Sequence, residues 1–207
     1  MFKVKICGLT NLEDARWALD KGADYLGFVL YPKSPRYLTP DALAHIVEHL
    51  PAHARPVGVF VNADPVLVKQ VVAKCRLVAV QLNGDECFGD FSDLSVPVWR
   101  AVRLISGMWQ PSTDDWRVER FILDAASPEY GGSGVKIDWE AGREFALHHR
   151  VMLAGGLDSE SVADAVRQVR PMGVDVSSGV ECFPGKKDFR KVADFIAHAK
   201  AAAGVKE

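Results

Sequence analysis

A strand–turn–helix pattern that recurs along the chain begins near the N-terminus, in Lys3-Val4-Lys5-Ile6-Cys7-Gly8-Leu9-Thr10. Its short alternating run of apolar residues predicts a β-strand, and the glycine after Cys7 predicts a turn. Thr10 and Glu13 have the spacing of a capping box, so a helix is expected to follow. The stretch therefore predicts a strand, a turn and a helix, with Cys7 at the carboxyl end of the strand.

The same succession continues along the chain. Eight short segments rich in Val, Ile, Leu or Phe are predicted strands, near 2–7, 24–30, 56–61, 77–82, 97–103, 119–124, 150–154 and 172–176. Helical patterns lie between them, near 11–21, 40–50, 65–75, 138–148, 158–169 and 187–202, with weaker signals near 86–94 and 112–117. Two helices begin with a capping residue before proline, at Thr39-Pro40 and Asp64-Pro65. Strand–helix units without a linker predict an α/β fold, a single-domain (β/α)8 TIM barrel over residues 1–207.

Composition and charge argue against several classes of protein. The 207 residues are 48% hydrophobic, and 25 Lys and Arg stand against 27 Asp and Glu. A chain of this size can bury a full core, and its balanced charge gives no basic field for nucleic acid. No run reaches the roughly 18 apolar residues of a membrane span, and no apolar signal segment opens the chain. The four cysteines lack zinc spacing, so we expect a cytoplasmic protein with reduced thiols and no metal.

The carboxyl ends of barrel strands carry the reactive groups of such folds. Cys7 ends the first predicted strand, and Asp124 ends the sixth. Because Asp124 emerges from an apolar strand, its carboxyl is expected to have a raised pKa, as a general acid near neutrality requires. Cys7 as base and Asp124 as acid form a plausible proton-transfer pair. The structural alternatives are that Cys7 packs in the core and that Asp124 caps a loop.

Lys5 lies two residues before Cys7 and therefore on the same face of the strand. A buried ammonium needs a carboxylate partner, and a cation so close to Cys7 would favour the thiolate form. We therefore hypothesise that Lys5 tunes the pKa of Cys7. A purely structural barrel lysine is the alternative.

Glycine and serine residues follow the last two predicted strands, where backbone amides can approach an anion. They are Gly155, Gly156, Ser177, Ser178 and Gly179. Ser178 and Glu181 also have capping-box spacing, which predicts a short extra helix whose N-terminus faces the anion. The corresponding loops form the phosphate site of these barrels, so we predict a phosphate here.

Two further loops belong to the predicted mouth. Arg36 lies in a proline-stiffened loop and suits bidentate capture of a carboxylate. This implies a substrate with a phosphate at one end and a second anion at the other. The long, glycine-rich loop 126–137 follows a strand and is predicted to be a lid, with plain surface chain as the alternative.

Histidine chemistry is not expected at this mouth. None of the six histidines lies at the carboxyl end of a predicted strand, which disfavours a Cys-His hydrolase. The run from His45 to His49 matches the inverted zinc-protease pattern HxxEH. It falls on a predicted outer helix without an identified further ligand, so we interpret the match as coincidence.

The motifs together resemble those of the phosphoribosylanthranilate isomerase family. They run across essentially the whole chain, at 5–10, 27–36, 58–62, 80–82, 123–124, 131–134, 154–157 and 175–181. The resemblance implies an Amadori rearrangement of N-(5-phosphoribosyl)anthranilate in tryptophan biosynthesis. It also implies a small-molecule phosphosugar-anthranilate substrate, no cofactor, no nucleic-acid or membrane partner, and a monomer or homodimer.

The resemblance further implies roles for individual residues. Cys7 would be the general base, Asp124 the general acid, and Arg36 the group that binds the anthranilate carboxylate. The phosphate would bind the glycine and serine loops, and Asp175 would contact polar groups of the substrate. One residue departs from the family's pattern, since Asn83 stands where the family commonly has histidine. Asn83 could orient the anthranilate ring only as a neutral hydrogen-bonding group.

Three alternatives have different requirements. A histidine-pathway isomerase would carry aspartate in place of Cys7 and a second phosphate site. A Schiff-base aldolase would need a lysine at a strand's carboxyl end, and none is predicted there. A noncatalytic phosphate-binding barrel would have no need for both Cys7 and Asp124.

Overall fold

The structure, a computed structural model, describes residues 1–114, 116–125 and 138–204. Its strands are, in chain order, β1 (Lys3–Ile6), β2 (Tyr25–Val29), β3 (Pro56–Phe60), β4 (Ala79–Leu82), β5 (Val98–Ile105), β6 (Met108–Gln110), β7 (Arg120–Asp124), β8 (Val151–Leu153), β9 (Gly173–Val176), β10 (Glu181–Phe183) and β11 (Lys186–Lys187). Eight of them, β1 to β5 and β7 to β9, pair in parallel, and the β1–β9 and β4–β5 pairings close the sheet. The predicted (β/α)8 barrel is confirmed.

Helices follow most of the barrel strands. They are α1 (Leu12–Asp20), α2 (Pro40–Glu48), α3 (Pro65–Lys74), α4 (Trp139–His148), α5 (Val162–Val169) and α6 (Phe189–Ala202). Between β4 and β5 stands only a 3₁₀ turn, Phe88–Phe91. The helix predicted near 112–117 is wrong, because the described residues there form bends and irregular chain. No helix in the described part of the chain is long and apolar enough to cross a lipid bilayer.

One hairpin was not predicted. Strand β5 runs two residues past the predicted end at 103, and β6 returns against it in antiparallel pairing. Ser106 and Gly107 form the turn, both with positive φ. Two-residue turns of this conformation join twisted antiparallel strands, so the Ser-Gly pair was a usable signal.

The helix starts confirm two predicted caps and correct a third. The side chains of Thr39 and Asp64 accept hydrogen bonds from the first-turn amides of α2 and α3. At α1 the capping residue is Asn11, whose side chain accepts from the backbone N–H of Asp14 at 2.9 Å. The predicted capping box of Thr10 is therefore wrong. Its hydroxyl donates instead to the carbonyl oxygen of Gly185, in the loop between β10 and β11.

The sheet separates two apolar layers. Inside the barrel is a small cluster drawn from the strands and the residues directly beside them: Tyr25, Val57, Ala79, Trp99, Ala101, Ile122, Met152 and Ala154. The larger cluster fills the space between the strands and the surrounding helices. Side chains alternate along each strand, so one strand supplies both layers.

Aromatic and cationic side chains fill the amino-terminal end of the barrel. The guanidinium of Arg120 lies 4.4 Å from the ring centre of Trp99 and 5.2 Å from that of Tyr25. All three side chains are buried, at or near the first residues of their strands. Because this end is filled, access to the barrel interior is from the carboxyl ends of the strands.

Gly173 gives a test of barrel closure. It pairs with Lys3 across the β1–β9 seam, and a Cβ at this position would lie 2.5 Å from the carbonyl oxygen of Lys3. Since that neighbour is backbone, Gly173→Ala must push the two strands apart. We expect a loss of about 1 to 3 kcal/mol in the free energy of unfolding, measured by urea denaturation.

Gly89→Ala is the matched control, because a Cβ at Gly89 would have no atom within 4 Å. It should leave stability within about 0.5 kcal/mol of wild type. An equal loss in both variants would contradict the steric account of the seam.

Candidate active site

A cavity of about 690 Å³ opens at the carboxyl ends of the barrel strands. Its lining includes every site residue that the sequence indicated: Cys7, Arg36, Asp124, Gly155, Gly156, Asp175, Ser177, Ser178 and Gly179. The residues come from five separate strand–loop junctions. The loop predicted to be a lid, 126–137, lies outside the described residues.

A buried ion pair lies at the base of the cavity. Lys5 on β1 is directly opposite Asp175 on β9, and its Nζ lies 2.8 Å from Asp175 Oδ2. The carboxylate partner that a buried Lys5 requires is therefore Asp175. Burial opposes the charge on Lys5, but the carboxylate of Asp175 outweighs it and raises the pKa of Lys5. The other oxygen, Asp175 Oδ1, has no hydrogen-bond partner among the described residues, and Asp175 lines the cavity.

Cys7 follows β1 and is only 8% exposed. Burial raises the pKa of its thiol, while the neighbouring charge of Lys5 lowers it and that of Asp175 raises it. Lys5 thus lowers the pKa of Cys7, as hypothesised. Burial has the larger effect, so the pKa of Cys7 is above the ordinary thiol value. Cys7 is therefore a neutral thiol near pH 7 and a strong base once deprotonated.

Gly27 on β2 has no side chain and so leaves space for the side chains of Cys7 and Lys5. A Cβ on Gly27 would lie 2.7 Å from Cys7 Sγ and 3.0 Å from Lys5 Cε. Any larger residue would displace the thiol or the ammonium. The glycine is therefore required by the two side chains that it faces.

Asp124 ends β7 across the cavity from these groups. Its Oδ1 accepts a hydrogen bond from the backbone N–H of Ala125 at 2.9 Å. Burial raises the pKa of its carboxyl to about 6, although the charge of Arg103 lowers it. A carboxyl with this pKa can give up a proton near neutrality, as predicted from its apolar strand.

Arg103 was not predicted to belong to the site. It lies opposite Asp124 in the β5–β7 pairing, and its Nη2 donates to the carbonyl oxygen of Asn83 at 3.2 Å. Arginine within an otherwise apolar strand was the available signal. A buried cation there limits how far the pKa of Asp124 can rise.

Asn83 is buried at the cavity wall, after β4. Its Oδ1 accepts a hydrogen bond from Gln81 Nε2 at 2.9 Å. Gln81 also lines the cavity, and its Oε1 is buried with no partner in the described part of the chain. The two amides offer neutral hydrogen-bonding groups to a ligand.

The two glycine and serine loops pack tightly against their neighbours. Gly155 and Gly156 both have positive φ, and a Cβ on Gly155 would lie 2.5 Å from the backbone nitrogen of Ala125. Gly179 packs against the carbonyl oxygen of Leu157, with no room for a Cβ. Glycines have no side chain, so the backbone amides of this loop can come close to an anion. Within the described residues, the N–H groups of Gly155 and Gly156 have no protein acceptor.

The short helix predicted after β9 is a 3₁₀ turn, Ser178–Val180. The capping box predicted for it is wrong, because no side chain caps this turn and Glu181 bonds to Ser178 only through its backbone N–H, which donates to the carbonyl oxygen of Ser178. Both carboxylate oxygens of Glu181 accept hydrogen bonds from Arg36, at 2.8 and 2.7 Å. The sequence does not predict the ion pairs of Glu181 with Arg36 and Lys187, because its spacing from Ser178 indicates a cap instead.

The HxxEH run lies away from the mouth. His45, Glu48 and His49 are exposed on α2, with potential ligand atoms within 4.8 Å of one another. None of them lines the cavity. The cluster therefore takes no part in the site.

The chain was compared with known proteins. Residues 4–198 match the family model described as N-(5'phosphoribosyl)anthranilate (PRA) isomerase. An N-(5'-phosphoribosyl)anthranilate isomerase of Trichlorobacter lovleyi is 48% identical, over 98% of this chain and 100% of the relative. The solved phosphoribosyl anthranilate isomerase of Thermotoga maritima is 42% identical, with a TM-score of 0.87 and coverage of 97% and 100%.

A second solved structure holds a ligand. It is a phosphoribosyl anthranilate isomerase in complex with reduced 1-(o-carboxyphenylamino)-1-deoxyribulose 5-phosphate. It is 38% identical to this chain, with a TM-score of 0.83 and coverage of 97% of this chain and 100% of the other. The resemblance first indicated by the motifs thus extends over the whole fold.

The influence of Lys5 on Cys7 can be measured directly. Lys5→Met removes the cation that lowers the pKa of Cys7, so we expect the midpoint of thiol titration to move upward. The rate of alkylation of Cys7 by iodoacetamide, followed against pH, reports this midpoint. An unmoved midpoint would eliminate the tuning role of Lys5.

Two controls make this titration specific. The exposed thiols Cys87 and Cys182 are replaced by serine in every variant, so that they do not react. Lys3→Met removes a lysine of the same strand that pairs instead with Asp24 at 2.7 Å. It should leave the midpoint of Cys7 where it is in wild type.

Proposed function

Because the chain belongs to the N-(5'-phosphoribosyl)anthranilate isomerase family, we propose that Cys7 and Asp124 are the general base and general acid of its reaction. The enzyme isomerises N-(5'-phosphoribosyl)anthranilate to 1-(o-carboxyphenylamino)-1-deoxyribulose 5-phosphate, in tryptophan biosynthesis. The observation that supports the assignment is that a buried thiol and a carboxyl with a pKa of about 6 line the same cavity.

Asp124 acts first in this scheme, in its protonated form. It donates its proton to the ring oxygen of the furanose, and the bond between C1 and that oxygen breaks. The lone pair of the anthranilate nitrogen forms a double bond to C1, which gives an open-chain iminium. Burial supports this role, because it keeps a useful fraction of Asp124 protonated near neutrality.

Cys7 acts second, as the thiolate. It accepts the proton of C2, and the electrons of that C–H bond form the C1–C2 double bond while the C–N double bond returns to a lone pair. The resulting enolamine becomes the ketone when the C2 hydroxyl loses its proton and C1 gains one. Only protons move in these steps, so the scheme calls for neither a metal nor a nucleotide.

The electrostatics of the base favour this order of events. Burial makes the Cys7 thiolate scarce but strongly basic. Once the ring opens, the iminium brings a positive charge next to the thiol and favours its ionised form. Lys5 provides a second positive charge beneath it.

The ends of the substrate fit the two anion sites. The amides of Gly155 and Gly156, which have no acceptor among the described residues, would bind the phosphate together with the loop 177–179. Arg36 would bind the anthranilate carboxylate through Nη1, which has no partner within the described residues. Asp175 Oδ1 is the acceptor available for a sugar hydroxyl.

We also infer the setting in which the enzyme works. All the residues assigned to the reaction belong to one chain, so both a monomer and a homodimer are compatible with catalysis. Cys7 must be reduced to act as a base, and all four cysteines are free thiols. These properties support a cytoplasmic enzyme.

Replacement of either proton-transfer group tests the assignment. Cys7→Ser and Asp124→Asn should each lower kcat by about 10² to 10⁴-fold, because general acid–base groups contribute on that scale. The loss of fluorescence from freshly generated phosphoribosylanthranilate measures turnover.

Two exposed residues of the same types outside the cavity supply matched controls. Cys182→Ser and Asp90→Asn should keep wild-type activity. Full activity in Cys7→Ser or Asp124→Asn would contradict the mechanism.

The pH dependence gives a separate test. Above the pKa of Asp124, about 6, its protonated fraction falls tenfold per pH unit while the Cys7 thiolate rises tenfold. The two effects cancel, so kcat/KM of wild type should be flat between about pH 7 and 8.5. In Asp124→Asn only the thiolate term remains, and residual kcat/KM should rise about tenfold per pH unit. A flat profile in the variant would contradict the roles.

A further inference from the structure

The guanidinium of Arg36 forms a bidentate ion pair with the carboxylate of Glu181. Nε and Nη2 donate to the two oxygens of Glu181, at 2.8 and 2.7 Å, and both side chains are largely buried. A bidentate pair of this kind fixes the plane of the guanidinium as well as its position. Among the described residues Nη1 has no partner, so this nitrogen is available to a ligand.

The stem of Arg36 is fixed by close packing. A Cβ on Gly8 would lie 2.5 Å from Arg36 Cδ and 2.6 Å from Ser177 Oγ. The arginine therefore crosses directly over the residue after Cys7 and comes close to the loop that follows β9. The aliphatic stem of Arg36 and Ser177 are neighbours at this point.

Lys187 connects Glu181 to that loop. Its Nζ lies 2.8 Å from Glu181 Oε1 and donates to the carbonyl oxygen of Ser177 at 3.1 Å. Lys187 is only 2% exposed. Arg36, Glu181, Lys187 and Ser177 thus form one continuous chain of hydrogen bonds from the loop after β2 to the loop after β9.

The charges in this chain favour an anionic ligand. Burial alone would raise the pKa of Glu181, but hydrogen bonds from Arg36 and the charge of Lys187 outweigh it and hold the pKa low. Glu181 is therefore ionised. Burial lowers the pKa of Lys187, although the carboxylate of Glu181 raises it. The guanidinium of Arg36, which stays charged, supplies the positive charge beside the cavity.

We propose that Glu181 and Lys187 are positioning residues that hold Arg36 at a fixed place relative to the phosphate loop. The spacing of the two anion sites, and with it the preference for a ligand with a carboxylate at the far end from its phosphate, depends on this link. The inference rests on the assignment of Arg36 to the substrate's carboxylate. Neither Glu181 nor Lys187 is among the residues that line the cavity.

Two ligands separate positioning from general structural support. One is reduced 1-(o-carboxyphenylamino)-1-deoxyribulose 5-phosphate, and the other is the same compound without its carboxyl group. Glu181→Gln should weaken binding of the first by about tenfold or more, since Nη1 loses its orientation. Binding of the second should change by less than about twofold. Isothermal titration calorimetry measures both affinities.

Glu86→Gln is the matched control. Glu86 also forms a buried ion pair with an arginine, with 2.6 Å between its Oε2 and Arg100 Nη1, but it does not line the cavity. Its replacement should change the two affinities by the same small factor.

A double variant completes the test. In an Arg36→Met background, Glu181→Gln should have no further effect on the carboxylated ligand, because the group that it positions is gone. Equal losses for the two ligands in Glu181→Gln, tighter binding of the carboxylated one, or additive effects in the double variant would overturn the proposal.

The design also separates this inference from the function on which it rests. If Arg36→Met weakens both ligands equally, the assignment of Arg36 to the carboxylate is wrong. If Arg36→Met discriminates between the ligands and Glu181→Gln does not, only the positioning role is wrong. Should Glu181→Gln fail to fold, Glu181→Gln with Lys187→Met removes both buried charges and takes its place, with the same outcomes expected.

Discussion

The buried ion pair between Lys5 and Asp175 is the constraint on which the site depends. It joins the first and last strands of the barrel, with 2.8 Å between Nζ and Oδ2, at the seam where the sheet closes. Removal of one partner would leave an uncompensated charge in the interior, at a cost of about 3 to 5 kcal/mol. The same pair lies beneath Cys7, and Gly27 leaves the space that Cys7 and Lys5 need. Closure of the fold and placement of the base thus rely on one contact.

Burial sets the pKa of both groups that we propose to transfer protons, Cys7 and Asp124. It raises the pKa of Cys7 and that of Asp124, since each loses hydration in its charged form. The neighbours then differ: Lys5 moderates the thiol, and Arg103 moderates the carboxyl. One apolar barrel thereby supplies a strong base and an acid that works near neutrality. A polar mouth with well hydrated groups would supply neither.

Periodicity and position along the chain predicted the barrel and the residues that line its cavity, because both depend on local pattern and on the rule that strand ends meet at one edge. Local pattern does not identify ion pairs and hydrogen bonds between residues that are far apart in the sequence. The need of Lys5 for a carboxylate was clear, but only the register of β1 on β9 identifies Asp175. The spacing of Glu181 from Ser178 is compatible with a capping box, but its side chain forms an ion pair with Arg36. The spacing of Thr10 from Glu13 also predicts a cap, but Asn11 caps the helix. Local signals compete, and tertiary contacts decide between them.

In the proposed mechanism the substrate lies between Cys7 and Asp124, with its phosphate at the glycine loops and its carboxylate at Arg36. A crystal structure of this protein with reduced 1-(o-carboxyphenylamino)-1-deoxyribulose 5-phosphate would show this arrangement. We expect Cys7 Sγ within about 3.5 Å of C2, as proton transfer requires. We also expect hydrogen bonds from the amides of Gly155 and Gly156 to the phosphate. A reversed ligand, or one whose C2 lies far from Cys7, would contradict the proposed mechanism.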